Sequence, residues 1–331
     1  MSARLTEDDL IARYFAPLAG EGGLGLRDDA ARIAPPSGCE IVLTVDGLVA
    51  GVHFFVDDPP ETIAKKALRV NLSDLAAKGA TPLGFLLTLA LPRDWKPDWL
   101  EAFARSLGED AAVFACPLLG GDTISTPGPL TLSITALGSA PAGRMVPRDG
   151  ARAGDALYVS GAIGDAALGL RVRTAGLQAR SEPDGPASGA AFLLDRYLVP
   201  QPRLGLAAAL REHASGAMDV SDGLVGDLAK MLRVSGVSAE VEIARIPLSA
   251  AARAAIAAEP RLLEAALTGG DDYEILASVP QDRRGAFEAD AKAAGVAVAR
   301  IGIVVAGPGA PTFRDERGAP MSFARGSYSH F

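Results

Sequence analysis

Carboxylates recur in this chain at places where a hydrophobic core has no use for them. RDDAA (Arg27–Ala31), TVDG (Thr44–Gly47), GGDT (Gly120–Thr123) and DVSDG (Asp219–Gly223) each put aspartate at the end of an expected strand or the start of a turn. GGDDYE (Gly269–Glu274) follows, and Asn71-Leu-Ser-Asp-Leu75 sets Asp74 inside an apolar helical pattern. Repeated aspartates beside glycines supply hard oxygen donors, which suit divalent cations that bridge bound phosphates. The pattern points to magnesium-dependent phosphate chemistry.

Asp74 carries the sharpest signal. It continues the helical stripe of Ile63, Ala67 and Val70, and a carboxylate on a buried stripe is costly unless paired or coordinated. Metal ligation is the favoured reading, against a helix rotated to put Asp74 in water or a salt bridge to Lys78. Asp28, Asp29, Asp46 and Asp122 flank glycines or strand ends. Each alone reads as a turn residue; four in one apparent domain favour a shared cation site. Asp219 and Asp222 suit a metal and Ser221 a phosphate oxygen, and the same residues suit a helix N-cap. Arg148, between Arg144 and Arg152, offers a planar fork for phosphate or a solvent-exposed linker arginine. His53 is the only histidine near an acidic motif, and no Ser or Cys nucleophile signature accompanies it to suggest a triad. Ser160-Gly-Ala-Ile-Gly164-Asp is a generic anion-binding turn. It matches neither GxGxxG nor a Walker A sequence, and no GK dipeptide, HRD or DFG occurs.

The elements that must position these residues fit 331 residues, long enough for two domains. Hydrophobic residues at 49% and charged residues at 22% are ordinary for a globular chain, and a net charge of −8 argues against nucleic acid or a membrane surface as partner. Cys39 and Cys116 show no metal spacing and read as buried thiols. The acidic, amphipathic start is unlike a signal peptide, and the longest apolar run, Leu83–Leu91, is strand length, so a cytoplasmic, soluble protein is expected.

Strands are expected at Glu40–Val45, Leu83–Leu91, Leu118–Leu119 and Leu130–Gly138. Helices are expected at Leu5–Phe15, Pro59–Lys78 and Asp98–Phe114, with a glycine-rich loop at Gly20–Leu26. This alternation indicates α/β or α+β layering. Domain limits fall at 1–140 and 155–331, with a Gly-, Pro- and Arg-rich linker at 141–154. Beyond the linker, strands are expected at Ala156–Ser160, Ala217–Val220, Glu240–Ile243, Tyr273–Val279 and Val296–Val304. Helices are expected at Gly161–Thr174, Arg203–His213, Leu224–Val234, twice between Ser249 and Leu267, and near Arg283–Ala294. Gly176–Gly189 reads as a mobile surface loop.

The ordered set RDDAA, TVDGLVAGVHF, NLSDLAAKGATP, GGDT, GR…PR, DVSDGL, GGDDYE and the Gly326–Phe331 tail resembles the thiamine-monophosphate kinases. These belong to the superfamily of aminoimidazole ribonucleotide synthetase and selenophosphate synthetase. The resemblance implies ATP-dependent phosphorylation of thiamine monophosphate to thiamine diphosphate, with several Mg2+ ions. It implies an N-terminal α/β domain forming a barrel across a homodimer and a C-terminal α+β domain over the cleft. By position, Asp29, Thr44, Asp46, Asp74, Asp122, Asp219 and Asp222 would be magnesium ligands. Gly121, Asp122, Arg148 and Ser221 would contact ATP, and His53, Asp271 and Tyr328 the thiamine phosphate. Two residues depart from the family pattern: Arg27 stands for its glycine and Asp271 for its glutamate. The implied acceptor is a phosphate oxygen, anionic at neutral pH because the second phosphate pKa is about 6, so no general base is expected. The alternatives are another ATP-dependent synthetase of the superfamily, or a non-catalytic nucleotide- or metal-binding regulator.

Overall fold

The computed structural model describes residues 6–174, 189–324 and 326–327. The chain divides into two compact units, Met1–Leu75 with Ala80–Gly143, and Ala76–Gly79 with Arg144–Phe331. Both mix helices and strands.

The first unit is built on an open four-stranded sheet of order β1-β4-β2-β3, where β1 is Cys39–Val49, β2 Thr81–Pro92, β3 Leu118–Thr126 and β4 Thr131–Pro141. The β2/β3 pair is parallel and the other pairs are antiparallel. Period-2 alternation gives the sheet one buried face, with Val42, Leu48, Leu87, Leu89, Leu132, Ile134 and Ala136. The Pro60–Ala77 helix lies on that face. Pro60 opens it, and Gly79 closes it at φ 69°, with Gly79 N–H on Ala76 O at 3.0 Å and Ala80 N–H on Leu75 O at 2.8 Å. The other face leaves Leu43 63% and Val45 61% exposed.

Two strands run further than the sequence suggests. β1 continues through Asp46-Gly47, where Gly47 pairs with Ser133 in the ladder instead of turning. GGDT lies inside β3, not after it, because Gly120–Thr123 stay paired to Leu86–Leu89. Aspartate and glycine favour turns, but an intact ladder on a formed neighbour overrides that preference.

The second unit carries a seven-stranded sheet of order β11-β10-β7-β9-β5-β8-β6. Its strands are β5 Ala156–Ser160, β6 Gly216–Val220, β7 Ser238–Glu242, β8 Glu274–Val279, β9 Val298–Val305, β10 Thr312–Arg314 and β11 Pro320–Met321. β5, β6 and β8 are buried at every position, as strands covered on both faces must be. Leu157, Val159, Met218, Val220 and Leu276 pack with Leu228, Met231 and Leu232 of the Leu224–Ser235 helix. Tyr158, Ile275, Ala277 and Val279 pack on the opposite side with Phe287, Leu206 and Leu210. The Gly189–Leu198 helix and the short β10 and β11 were not expected from sequence, and the loop expected at Gly176–Gly189 falls, up to residue 188, outside the described residues.

One buried ion pair ties the two long helices of the first unit together. Arg69 gives Nε to Asp110 Oδ2 at 2.5 Å and Nη2 to Oδ1 at 2.9 Å, with the residues 9% and 2% exposed. Removing one partner of such a pair strands a buried charge. Asp110→Ala should therefore lower unfolding free energy by about 3–5 kcal/mol in denaturant titration. A loss below about 1 kcal/mol, the surface-pair value, would contradict the assignment.

Candidate functional site

Within the first unit the expected site residues form two groups. In one, Asp74 turns toward the sheet, where Thr44 Oγ1 of β1 donates a hydrogen bond to its Oδ2. Asp46 lies two residues along on the same face, opposite Ile134. His53 follows in the turn after β1, with its Nδ1 accepting the Val49 N–H at 3.0 Å. That contact makes Nε2 the protonated nitrogen of the neutral ring, a donor suited to a phosphate oxygen.

The second group lines a cavity of about 650 Å³. Asp28 and Asp29 stand on one wall, Gly121 and Asp122 of β3 on another, and Leu86, Thr88, Thr135 and Leu137 form part of the floor. The segment before it is tightly coiled, with Leu24 at φ 53°, Gly25 at 71° and Leu26 at 54°. Arg27, where the resemblance implies a glycine, takes φ −114°. Any residue adopts that value, so the replacement brings no backbone strain.

The sheet register separates the groups. Asp122 pairs with Thr88, Thr88 with Ser133, and Ser133 with Gly47. Asp46 pairs with Ile134, Ile134 with Leu87, and Leu87 with Gly121. Asp46 and Asp122 thus occupy opposite faces and opposite edge strands, about 14 Å apart at three strand spacings. The shared cation site expected of the four N-terminal aspartates is not assembled within this sheet. Among the described residues, no three His, Cys, Asp or Glu side chains close on one point.

In the second unit, DVSDG and GGDDYE lie side by side. Asp219 is the penultimate residue of β6, at 5% exposure and paired with Ile275 of β8. Asp271 N–H donates to Ser221 O and Tyr273 N–H to Val220 O, both at 2.8 Å. Gly270 permits this approach, since a Cβ there would sit 2.2 Å from Ser221 O. Asp271 and Tyr273 are left-handed at φ 73° and 51°, with the Tyr273 hydroxyl 3.4 Å from Asp271 Oδ1. Left-handed backbone at non-glycine residues persists only where the surroundings impose it.

Two buried anchors impose it. Asp272 accepts the Gly164 N–H at 2.6 Å and the Ala166 N–H at 3.1 Å, and burial raises its pKa well above the usual carboxylate range despite those bonds. Glu274, fully buried, accepts Ser160 Oγ at 2.6 Å and Arg203 Nε at 2.6 Å, with Arg196 Nη2 at 3.2 Å. The Ser160–Asp165 turn therefore does present N–H groups to an anion, but that anion is the chain's own Asp272. The generic anion-binding shape read from the sequence is thus present, filled from within the chain.

Asp227 and Lys230 complete the DVSDG loop. Asp227 Oδ2 accepts Ser221 N–H at 3.0 Å and Asp222 N–H at 2.8 Å, and its Oδ1 accepts Lys230 Nζ at 2.9 Å. Lys230 also pairs with Asp222. Burial raises the Asp227 pKa against the pull of Lys230. Burial also works to depress Lys230, but its bonds to Asp222 and Asp227 more than reverse this. Sequence reasoning missed both residues, although Asp227 lies on the buried stripe of Leu224 and Met231, the signal that singled out Asp74. Arg148 is exposed, and Tyr328 lies outside the described residues.

Residues 27–140 match the AIR synthase related protein N-terminal domain, and residues 152–312 match its C-terminal domain. The thiamine-monophosphate kinase of Caulobacter vibrioides is 44% identical over 93% of this chain and 86% of its own. The crystal structure of thiamine-monophosphate kinase from Stenotrophomonas maltophilia K279a superimposes with a TM-score of 0.80 at 38% identity, covering 89% of this chain and 91% of that one. AaThiL complexed with AMPPCP and TMP superimposes with a TM-score of 0.77 at 29% identity over 100% of both chains. The chain is accordingly a member of the thiamine-monophosphate kinase family, assembled from the two AIR synthase related domains.

Proposed function

We propose that this protein transfers the terminal phosphoryl group of ATP to thiamine monophosphate, giving thiamine diphosphate and ADP. The observation that carries the reading is the fold shared over the full length with AaThiL, which holds AMPPCP and TMP. Each acidic group described above offers oxygen donors only, which fits magnesium. Asp29 and Asp122 of the cavity, Thr44, Asp46 and Asp74 of the helix-facing group, and Asp219 and Asp222 of the C-terminal loop would hold the ions. When bound, they would offset the repulsion between two polyanionic phosphates.

The chain's own groups orient the reactants. Gly121, Asp122, Arg148 and Ser221 take the nucleotide, and His53 donates through Nε2 to the acceptor phosphate. Asp271, one methylene shorter than the family's glutamate, reaches the acceptor with Tyr328. With an anionic phosphate oxygen as nucleophile, direct in-line transfer needs neither a general base nor a phosphoenzyme.

The same reading makes the protein a homodimer whose two N-terminal sheets close one barrel. Exposed Leu43 and Val45 on the open face of β1 support it, since apolar side chains there gain from cover. The separation of Asp46 from Asp122 supports it too, because a second copy can supply the group that one sheet cannot bring across.

With γ-labelled ATP, label should move to thiamine diphosphate only when thiamine monophosphate is present, and none should remain on the acid-quenched protein. Transfer to thiamine or a ribonucleotide instead would replace the substrate assignment, and trapped protein label would end the direct-transfer mechanism. Asp46→Asn and Asp122→Asn should each lower kcat at least about a hundredfold with an unchanged circular dichroism spectrum; near-normal turnover at limiting magnesium would remove them from the site. His53→Ala should raise KM for thiamine monophosphate about tenfold, roughly one charge-assisted hydrogen bond, with a smaller change in kcat. An unchanged KM would return His53 to a structural role.

A further inference from the structure

The two carboxylates paired with Lys230, Asp222 within the DVSDG loop and Asp227 on the helix that follows, are asymmetric. Asp227 is fully buried and uses both oxygens, one on the Ser221 and Asp222 N–H groups and one on Lys230. Withdrawing Lys230 from it would leave a buried charge without a counter-ion. Asp222 differs: its side chain and that of Lys230 are each 33% exposed, and ion pairs with such access to water contribute little. Lys230 sits three residues beyond Asp227 on the Leu224–Ser235 helix, so its ammonium stays on Asp227 whatever becomes of Asp222.

We propose that Lys230 is a positioning residue that occupies Asp222 until a divalent cation arrives, yielding Asp222 to that cation while keeping Asp227. The inference rests on Asp222 being a magnesium ligand. Before binding, Lys230 holds the acidic loop in a neutralised conformation, with the backbone of Ser221 and Asp222 already fixed on Asp227. Binding then requires one weak ion pair to open, with no refolding of the loop. The lysine therefore competes with the metal at Asp222 while supporting the loop beneath it.

The test is Mn2+ binding to the full chain without nucleotide, read as free Mn2+ by electron paramagnetic resonance. K230M should bind Mn2+ roughly two- to fivefold more tightly than the unaltered chain, the effect of removing a part-exposed competing ion pair. The same change in a D222N background should have no effect. Because K230M leaves Asp227 without its counter-charge, K230M/D227N serves beside it: the amide that D227N introduces keeps an oxygen for the two N–H groups and needs no cation. The double variant should show the same tightening. Weaker or unchanged Mn2+ binding in both variants, an equal shift in the D222N background, or no Mn2+ binding at all would overturn the proposal. Mn2+ shifts as expected in a chain that forms no thiamine diphosphate would remove the kinase reading alone. A working kinase without those shifts would remove only this one.

Discussion

The structure depends on one constraint: negative charge can be buried only where a cation or a set of N–H groups meets it. With 40 acidic residues against 32 basic ones, the chain cannot give every carboxylate a side-chain partner. Cations stand where exposure is least. Arg69 holds Asp110, Arg196 and Arg203 hold Glu274, and Lys230 holds Asp227. Asp272 is held instead by two backbone N–H groups at a helix start. Among the carboxylates proposed as ligands, Asp29 and Asp122 stand on exposed positions of a loop and an edge strand, Asp46, Asp74 and Asp222 are half-buried, and Asp219 is 5% exposed.

That division explains how the C-terminal motifs work as one unit. In GGDDYE the second aspartate and the glutamate point inward and are fixed, while Asp271 and Tyr273, which alternate with them, are forced into left-handed backbone. Their N–H groups then bond to the carbonyls of Ser221 and Val220. The residue proposed to meet the acceptor is therefore tied through main chain to the residue proposed to meet ATP. A shift in either loop must distort the other. The inner shell of Asp272, Glu274, Arg196 and Arg203 supplies the rigidity that close placement of two anionic reactants demands.

Much of this was legible in the sequence because hydrophobic periodicity is a local signal. The Pro60–Ala77 and Pro97–Val113 helices and β5, β6 and β8 lie within a few residues of where their patterns place them. Asp74 was readable as a carboxylate on a buried stripe, and Thr44 on β1 does meet it. The failures concern long-range pairing. Nothing local to Asp46-Gly47 or GGDT says that neighbouring strands continue past them, so strand interiors look like turns. Nothing local to Gly164 says that Asp272, 108 positions away, already occupies its N–H. Asp227 was missed for another reason: the adjacent DVSDG absorbed the acidic signal, although the helix period marked Asp227 as buried.

The same distinction bears on how the N-terminal aspartates can act together. Order along the chain makes Asp46 and Asp122 members of one acidic set, whereas register places them on different faces and different edges of a single sheet. A sheet cannot flex its two edges onto one ion, because every intervening ladder bond would have to break. Two routes remain for the divided set. The ligands serve different ions, as the cavity group and the Thr44–Asp74 group allow, or the edge of a second sheet completes each site. The exposed Leu43 and Val45 lie on the face opposite Asp46, the face that carries Asp122, and on the proposed dimer they favour the second route for Asp122. They place an apolar surface on the Asp122 face of the sheet, so that a second copy covering it would bring further carboxylates to that face, while Asp46 stays on the helix-covered side with Thr44 and Asp74.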